Sequence, residues 1–242
     1  MPQDHAHNVA ARRRFLMQAL SSGALIGGAG WTAAAQAGWF GSRPRKLPEG
    51  RSIHELRGRV LINGKAATRD QLIQGNDRIE VGPGGQLIYG VGANAFIVRE
   101  RSILEMSGKD LFVNAMQLVS GAVLGVFGKR KTELPIHTAT ATIGIRGTAL
   151  YTESHPDRSY ACTCYGHTVL QARQADQRED IRSTHHDAPR WILSAPQDGS
   201  AIVPAPMINH DDMELMLLEA LCGREVPFAT PVEPVGGATR GY

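Results

Sequence analysis

The chain has 242 residues, 42% hydrophobic and 20% charged, which is enough apolar material for a buried core and excludes a chain disordered throughout. Aromatic residues make up only 6% while glycine reaches 27 residues, so turns and tight strand crossings are expected rather than a helical bundle. Most of the formal charge of +3 comes from Arg12, Arg13 and Arg14 set against Asp4; residues 38–242 balance 23 basic against 22 acidic groups, which argues against a nucleic-acid module and its basic face.

Ala-Arg-Arg-Arg-Phe-Leu-Met at 11–17 opens a stretch without charge that runs from Phe15 to Ser42. Its middle mixes Ala, Leu and Ile with Gly23, Gly27, Gly28 and Gly30, and Ala35-Gln36-Ala37 has the small-x-small pattern of a signal-peptidase site. Residues 1–37 therefore read as an export signal. Arg12-Arg13 followed by Phe15-Leu16 resembles the bacterial twin-arginine type, which implies a periplasmic protein. The 28 uncharged residues are also long enough to span a bilayer, so an uncleaved signal would leave the protein anchored in the membrane. Residues 38–51 combine Gly, Pro and basic groups and read as a tether, with folded structure expected from Ser52.

From Leu56 to Leu170 short β-rich runs alternate with glycine. Gly58–Asn63 reads as a strand entering a hairpin at Gly64-Lys65, Asp77–Val81 alternates polar and apolar, and Gly82-Pro83-Gly84-Gly85 is a turn. Gln86–Gly90, Ala95–Arg99 and Ser102–Met106 follow, then two runs around Ser120-Gly121, then Thr132–Thr142, Ile145–Glu153 and Tyr160–Ala172. This series predicts an all-β sandwich or wound β-roll. Residues 173–187 read as a polar loop or a short exposed helix. One helix is expected: Asn209-His210-Asp211-Asp212 caps its start, Gly223 ends it, and Leu215, Leu218 and Cys222 share a face with Leu217 and Leu221 beside them. Segment 154–223 is expected to pack on the β body as an extension, and residues 224–242, rich in Pro and Gly, to form a disordered tail.

Four pieces of the β body carry a family resemblance: Leu56–Gly64, Leu72–Gly82, Leu118–Val123 and Thr140–Thr148 with its Gly-Ile-Arg-Gly-Thr core. On these, residues 52–153 resemble a FecR-type domain, the periplasmic β module first known from ferric-citrate signalling. The resemblance implies an exported, non-catalytic module that binds an envelope protein or a small ligand. Only eleven residues precede Arg12, so no cytoplasmic sigma-factor-binding segment is expected. Arg146, between Gly144 and Gly147, is expected to bridge a carboxylate or chain carbonyls across a bend, with anionic-ligand binding as the other use of its fork.

Cys162-Thr163-Cys164 is the sharpest feature beyond that domain. On a strand both thiols face one way, with Cα atoms about 7 Å apart, close enough to converge on one ion. His185, His186 and His210 are the candidate further ligands, with His167 as another; zinc, copper(I) or iron suits such a set. A disulfide or redox pair and an inert buried pair remain open for the same residues. His210 competes for a role at the helix start, and His185-His186 for that of a solvated loop. No Gly-x-Ser-x-Gly elbow, phosphate loop, His-Glu-x-x-His or dinucleotide fingerprint occurs, and no enzymatic activity is expected.

Overall fold

A computed structural model of the chain describes residues 45–228; the expected export signal at 1–37, the first half of the expected tether and the expected tail beyond 228 lie outside the described residues. The described part forms β1 (Ile53–Arg57), β2 (Val60–Ile62), β3 (Lys65–Ala66), β4 (Arg78–Val81), β5 (Gln86–Val91), β6 (Asn94–Val98) and β7 (Ser102–Lys109). There follow β8 (Phe112–Val126), β9 (Leu134–His137), β10 (Ala141–Ile145), β11 (Ala149–Ser154), β12 (Arg158–Ala172), β13 (Arg178–Ser183), β14 (Arg190–Gln197) and β15 (Ser200–Pro204). Among the described residues a single helix, α1 (Asp212–Leu221), completes the all-β architecture that the sequence pattern predicts.

Two long strands organise the rest. The first half of β8 pairs with β7 and, in parallel, with β9, while its second half pairs with β6 and β11. The first half of β12 pairs with β11 and β14, and its second half with β10 and β13. Two layers result. One runs β1-β5-β6-β8-β11-β12-β14-β15, the other β3-β2-β4-β7-β8-β9-β10-β12-β13, and both contain β8 and β12. Each shared strand changes layer at a glycine with positive φ, Gly121 at 83° and Gly166 at 92°. A Cβ there would lie 2.6 Å from the Ser102 Cα or 2.9 Å from the Gly147 carbonyl oxygen, so backbones approach at both corners as only glycine permits.

The main core lies between the layers, where Leu87, Tyr89, Phe96 and Val98 meet Ile62, Ile79, Leu104, Ile143 and Leu170. A second core covers the outer face of the first layer. There Leu215, Leu218 and Leu221 of α1 pack with Ile88, Ile97, Leu124, Tyr151 and Tyr160.

Three expectations need correction. Residues 173–187 hold β13, in which Ile181 and Ser183 turn inward while Arg178, Asp180 and Arg182 stay exposed; a nearly all-charged strand hides its period but protects a sheet edge. Ordered chain begins before Ser52, because the Leu47 N–H donates to the Leu221 carbonyl at 3.0 Å. The expected tail also starts inside the fold: Val226 is buried, and the Phe228 ring sits 5.9 Å from that of Tyr165. Arg146 does bridge a carboxylate, with its Nε 3.4 Å from Glu133, whose side chain lies over Gly144.

Candidate metal centre

Alternation along β12 sets the first two donors. Ala161 belongs to the inter-layer core, whereas Tyr160, Cys162 and Cys164 face the outer core beneath α1. Both cysteines are fully buried and free. Because β12 changes layers, β14 pairs only with residues 158–161 and β13 only with 166–171, leaving 162–165 without a strand on that side. The connection between β13 and β14 fills the gap, and the His186 N–H donates to the Cys164 carbonyl at 2.8 Å.

That connection is built to present its histidines. The Asp187 carboxylate accepts from the Thr184 N–H at 2.7 Å, the Thr184 hydroxyl at 2.9 Å and the His185 N–H at 3.3 Å. These bonds, the Thr184 N–H foremost, hold the Asp187 carboxyl down at about 2. His186 itself takes a left-handed backbone with φ 53°, a conformation that needs support from its surroundings.

His210 arrives from the other side, on the turn before α1. Asn209, also left-handed at φ 57°, donates from its side chain to Glu153 at 2.8 Å, and its carbonyl accepts from Arg99 at 3.1 Å. Arg99 in turn pairs with Glu214 at 2.7 Å, both nearly buried. The His210 ring stacks on Tyr151, with centroids 4.6 Å apart and planes 17° from parallel. His210 does not cap the helix. Asp211 does so, accepting from the Glu214 N–H at 3.0 Å.

Hydrogen bonding fixes the protons on both rings. His210 Nδ1 lies 2.6 Å from the Ile208 carbonyl, which can only accept, so Nδ1 carries a proton and Nε2 is the nitrogen turned towards His186. His186 Nε2 lies 3.1 Å from the Asp212 carboxylate and donates to it, so Nδ1 is bare whenever the ring is neutral. His186 Nδ1 and His210 Nε2 face each other at 3.1 Å, with the Cys162 Sγ 3.5 Å from His186 Nδ1. Lone pairs do not approach so closely without positive charge between them. A proton on His186 or a metal ion supplies it.

The thiols are polarised to match. Hydrogen bonding from the Cys164 thiol, then from His186 and His210, pulls Cys162 down towards the thiolate against the opposing effect of burial. Burial drives Cys164 well up. Burial also opposes charge on His186, yet the neighbouring Cys162 and Asp212 outweigh it and raise that imidazole.

Cys162, Cys164, His186 and His210 thus offer donor atoms that all lie within 4.8 Å of one another. A tetrahedral ion bound at about 2.3 Å to sulfur and about 2.0–2.1 Å to nitrogen would set its donors about 3.3–3.8 Å apart. The His186–His210 and Cys162–His186 edges of 3.1 and 3.5 Å come close to that figure. Four of the five predicted ligands are therefore brought together. His185 is not among them: it lies outside, with Nε2 2.9 Å from Asp212. His167 pairs with Asp180 at 2.9 Å, and Cys222 closes the C-terminus of α1; neither joins the group. Sequence reasoning treated Asp212 only as helix-start charge, although it contacts both His185 and His186.

No family model and no curated protein matches the chain. Two solved structures of a candidate anti-sigma factor from Parabacteroides distasonis are similar to it, with TM-scores of 0.44 and identities of 8% and 7%. Each match covers 53% of this chain and 58% of that chain, so it spans little more than half of either.

Proposed function

We propose that this chain is an exported, non-catalytic FecR-like β module of the bacterial envelope that holds one soft or borderline metal ion, zinc first, through Cys162, Cys164, His186 and His210. Of the two readings that the sequence leaves open, partner binding and ion binding, the geometry favours the second. The observation that carries it is the convergence of two imidazole nitrogens, 3.1 Å apart, on the buried Cys162 sulfur, which lies 3.5 Å from one of them. Both rings are oriented from behind, by the Asp212 carboxylate and the Ile208 carbonyl, in the manner of metal-bound histidines. Four protein donors close a tetrahedral shell, which suits a structural or storage role rather than Lewis-acid catalysis.

The test is metal analysis of the chain purified without a histidine tag, repeated after cobalt(II) substitution. The expected result is about one ion per chain, with a thiolate-to-cobalt absorption band that Cys162→Ser removes. Folded protein that takes up neither zinc, copper nor iron and gives no such band would leave a thiolate–imidazolium pair and overturn the reading.

A further inference from the structure

Beyond the buried group, His185, His186 and Asp212 place donor atoms within 4.8 Å of one another on the surface side of the same histidine. His185 Nε2 lies 2.9 and 3.0 Å from the two carboxylate oxygens of Asp212, and His186 Nε2 lies 3.1 Å from the first. Orienting His186 needs only the carboxylate. The second imidazole on the same carboxylate has no part in that task.

We propose that His185, Asp212 and the outer nitrogen of His186 form a second, open metal site that captures a divalent borderline ion and loads the buried centre; this rests on the reading of that centre as a metal site. Exposure falls in order along the path. The side chains of His185 and Asp212 are 47% and 40% exposed, that of His186 is 6% exposed, and Cys162 is at 0%. His186 is the one residue common to both groups, presenting Nδ1 to Cys162 and His210 and Nε2 to Asp212. Two imidazoles and a carboxylate suit zinc, iron(II) or copper(II), and with only three protein donors the shell keeps a position for water. An ion arriving there takes the His186 Nε2 lone pair while that nitrogen's proton leaves to solvent and one is taken up at Nδ1; when the buried site fills as well, the Nδ1 proton leaves in turn and the ring bridges the two ions as an imidazolate. It is then separated from the buried cysteine sulfurs by a single ring, and its water-filled position leaves it free to exchange. Once inside, it meets four donors, two of them sulfur, and is held more firmly.

Cobalt(II) alone, added to tag-free chain, distinguishes the two sites, because only the buried one gives the thiolate band. Wild type should bind two ions at saturation, the second more weakly. His185→Ala should bind one, with the thiolate band unchanged but appearing several-fold more slowly in stopped flow; His167→Ala, a surface histidine paired with Asp180, should behave as wild type. An unchanged band certifies that the variant is folded. A wild type that saturates at one ion, or a His185→Ala chain that loads at the wild-type rate, overturns the second site while leaving the buried one standing. Absence of the thiolate band from wild type overturns the underlying reading, and this one with it.

Discussion

Zinc should raise the thermal stability of the chain, and His210→Ala should abolish the rise. The ion would tie three segments that are far apart in sequence: β12 through Cys162 and Cys164, the β13–β14 connection through His186, and the turn before α1 through His210. With free zinc held 100-fold above its dissociation constant, linkage contributes about 2.7 kcal/mol. For a body of this size each kcal/mol moves the midpoint by about 2–4 °C, so a shift of roughly 5–11 °C is expected. His210→Ala has a cost of its own even without zinc. It removes the ring stacked on Tyr151, worth about 0.5–1.5 kcal/mol, and leaves the Ile208 carbonyl without its donor. The informative quantity is therefore the difference between zinc-replete and chelator-treated melts within each protein. Scanning calorimetry of all four samples measures it. A wild type whose midpoint ignores zinc, or a variant that gains as much as wild type, refutes the reasoning.

Leu218→Ala should cost about 2–5 kcal/mol, since this fully buried side chain fastens α1 to the outer face, and denaturant unfolding would show it as a lower midpoint. Glu153→Gln should destabilise at neutral pH: burial alone would raise the Glu153 carboxyl, but bonds from Tyr151, Asn209 and His155 hold it below its ordinary value of 4.5. That contribution is present above pH 4.5 and is lost as pH falls through the lowered value, so the gap between wild-type and variant melting points should close towards pH 3. Replacing Arg12 and Arg13 by Lys should keep the protein in the cytoplasm without lowering expression; continued export would point to the general secretory route, and cell fractionation decides between them.

The donors on β12 were legible because they obey a local rule. Tyr160, Cys162 and Cys164 occupy every second position, so a strand must put them on one face. The helix was legible for the same reason, with Asp211 at its cap and Leu215 and Leu218 one turn apart on its buried side. What brings the histidines to the thiols has no such local signature. It depends on β12 leaving one layer for the other at Gly166, which opens the unpaired stretch that His186 fills. Nothing within residues 183–187 announces that gap. Asp212 was misjudged because an acidic residue in the first turn of a helix has a sufficient local explanation, while its partners lie 26 and 27 positions away. β13 went unseen because Ile181 is its only apolar residue, too little to display a period of two.

The supports behind the ligands also decide how strongly ion binding and folding are coupled. Small zinc domains unfold without their ion because nothing else holds the ligands in place. Here each ligand has independent support. Cys162 and Cys164 sit in a strand paired with β11, His186 on a turn held by Asp187, and His210 on a turn pinned by Glu153 and by the Arg99–Glu214 pair. The body beneath them, with its own inter-layer core, does not involve the site at all. Chelation should therefore leave the fold intact and loosen only the two ligand-bearing turns. Amide exchange reads this directly: protection should fall around 184–187 and 208–211 on removal of zinc while β4, β7 and β10 remain unchanged. Uniform loss of protection across the sheets would mean that the ion is needed to build the body, and that the hydrogen bonds behind the histidines are too weak to hold the turns by themselves.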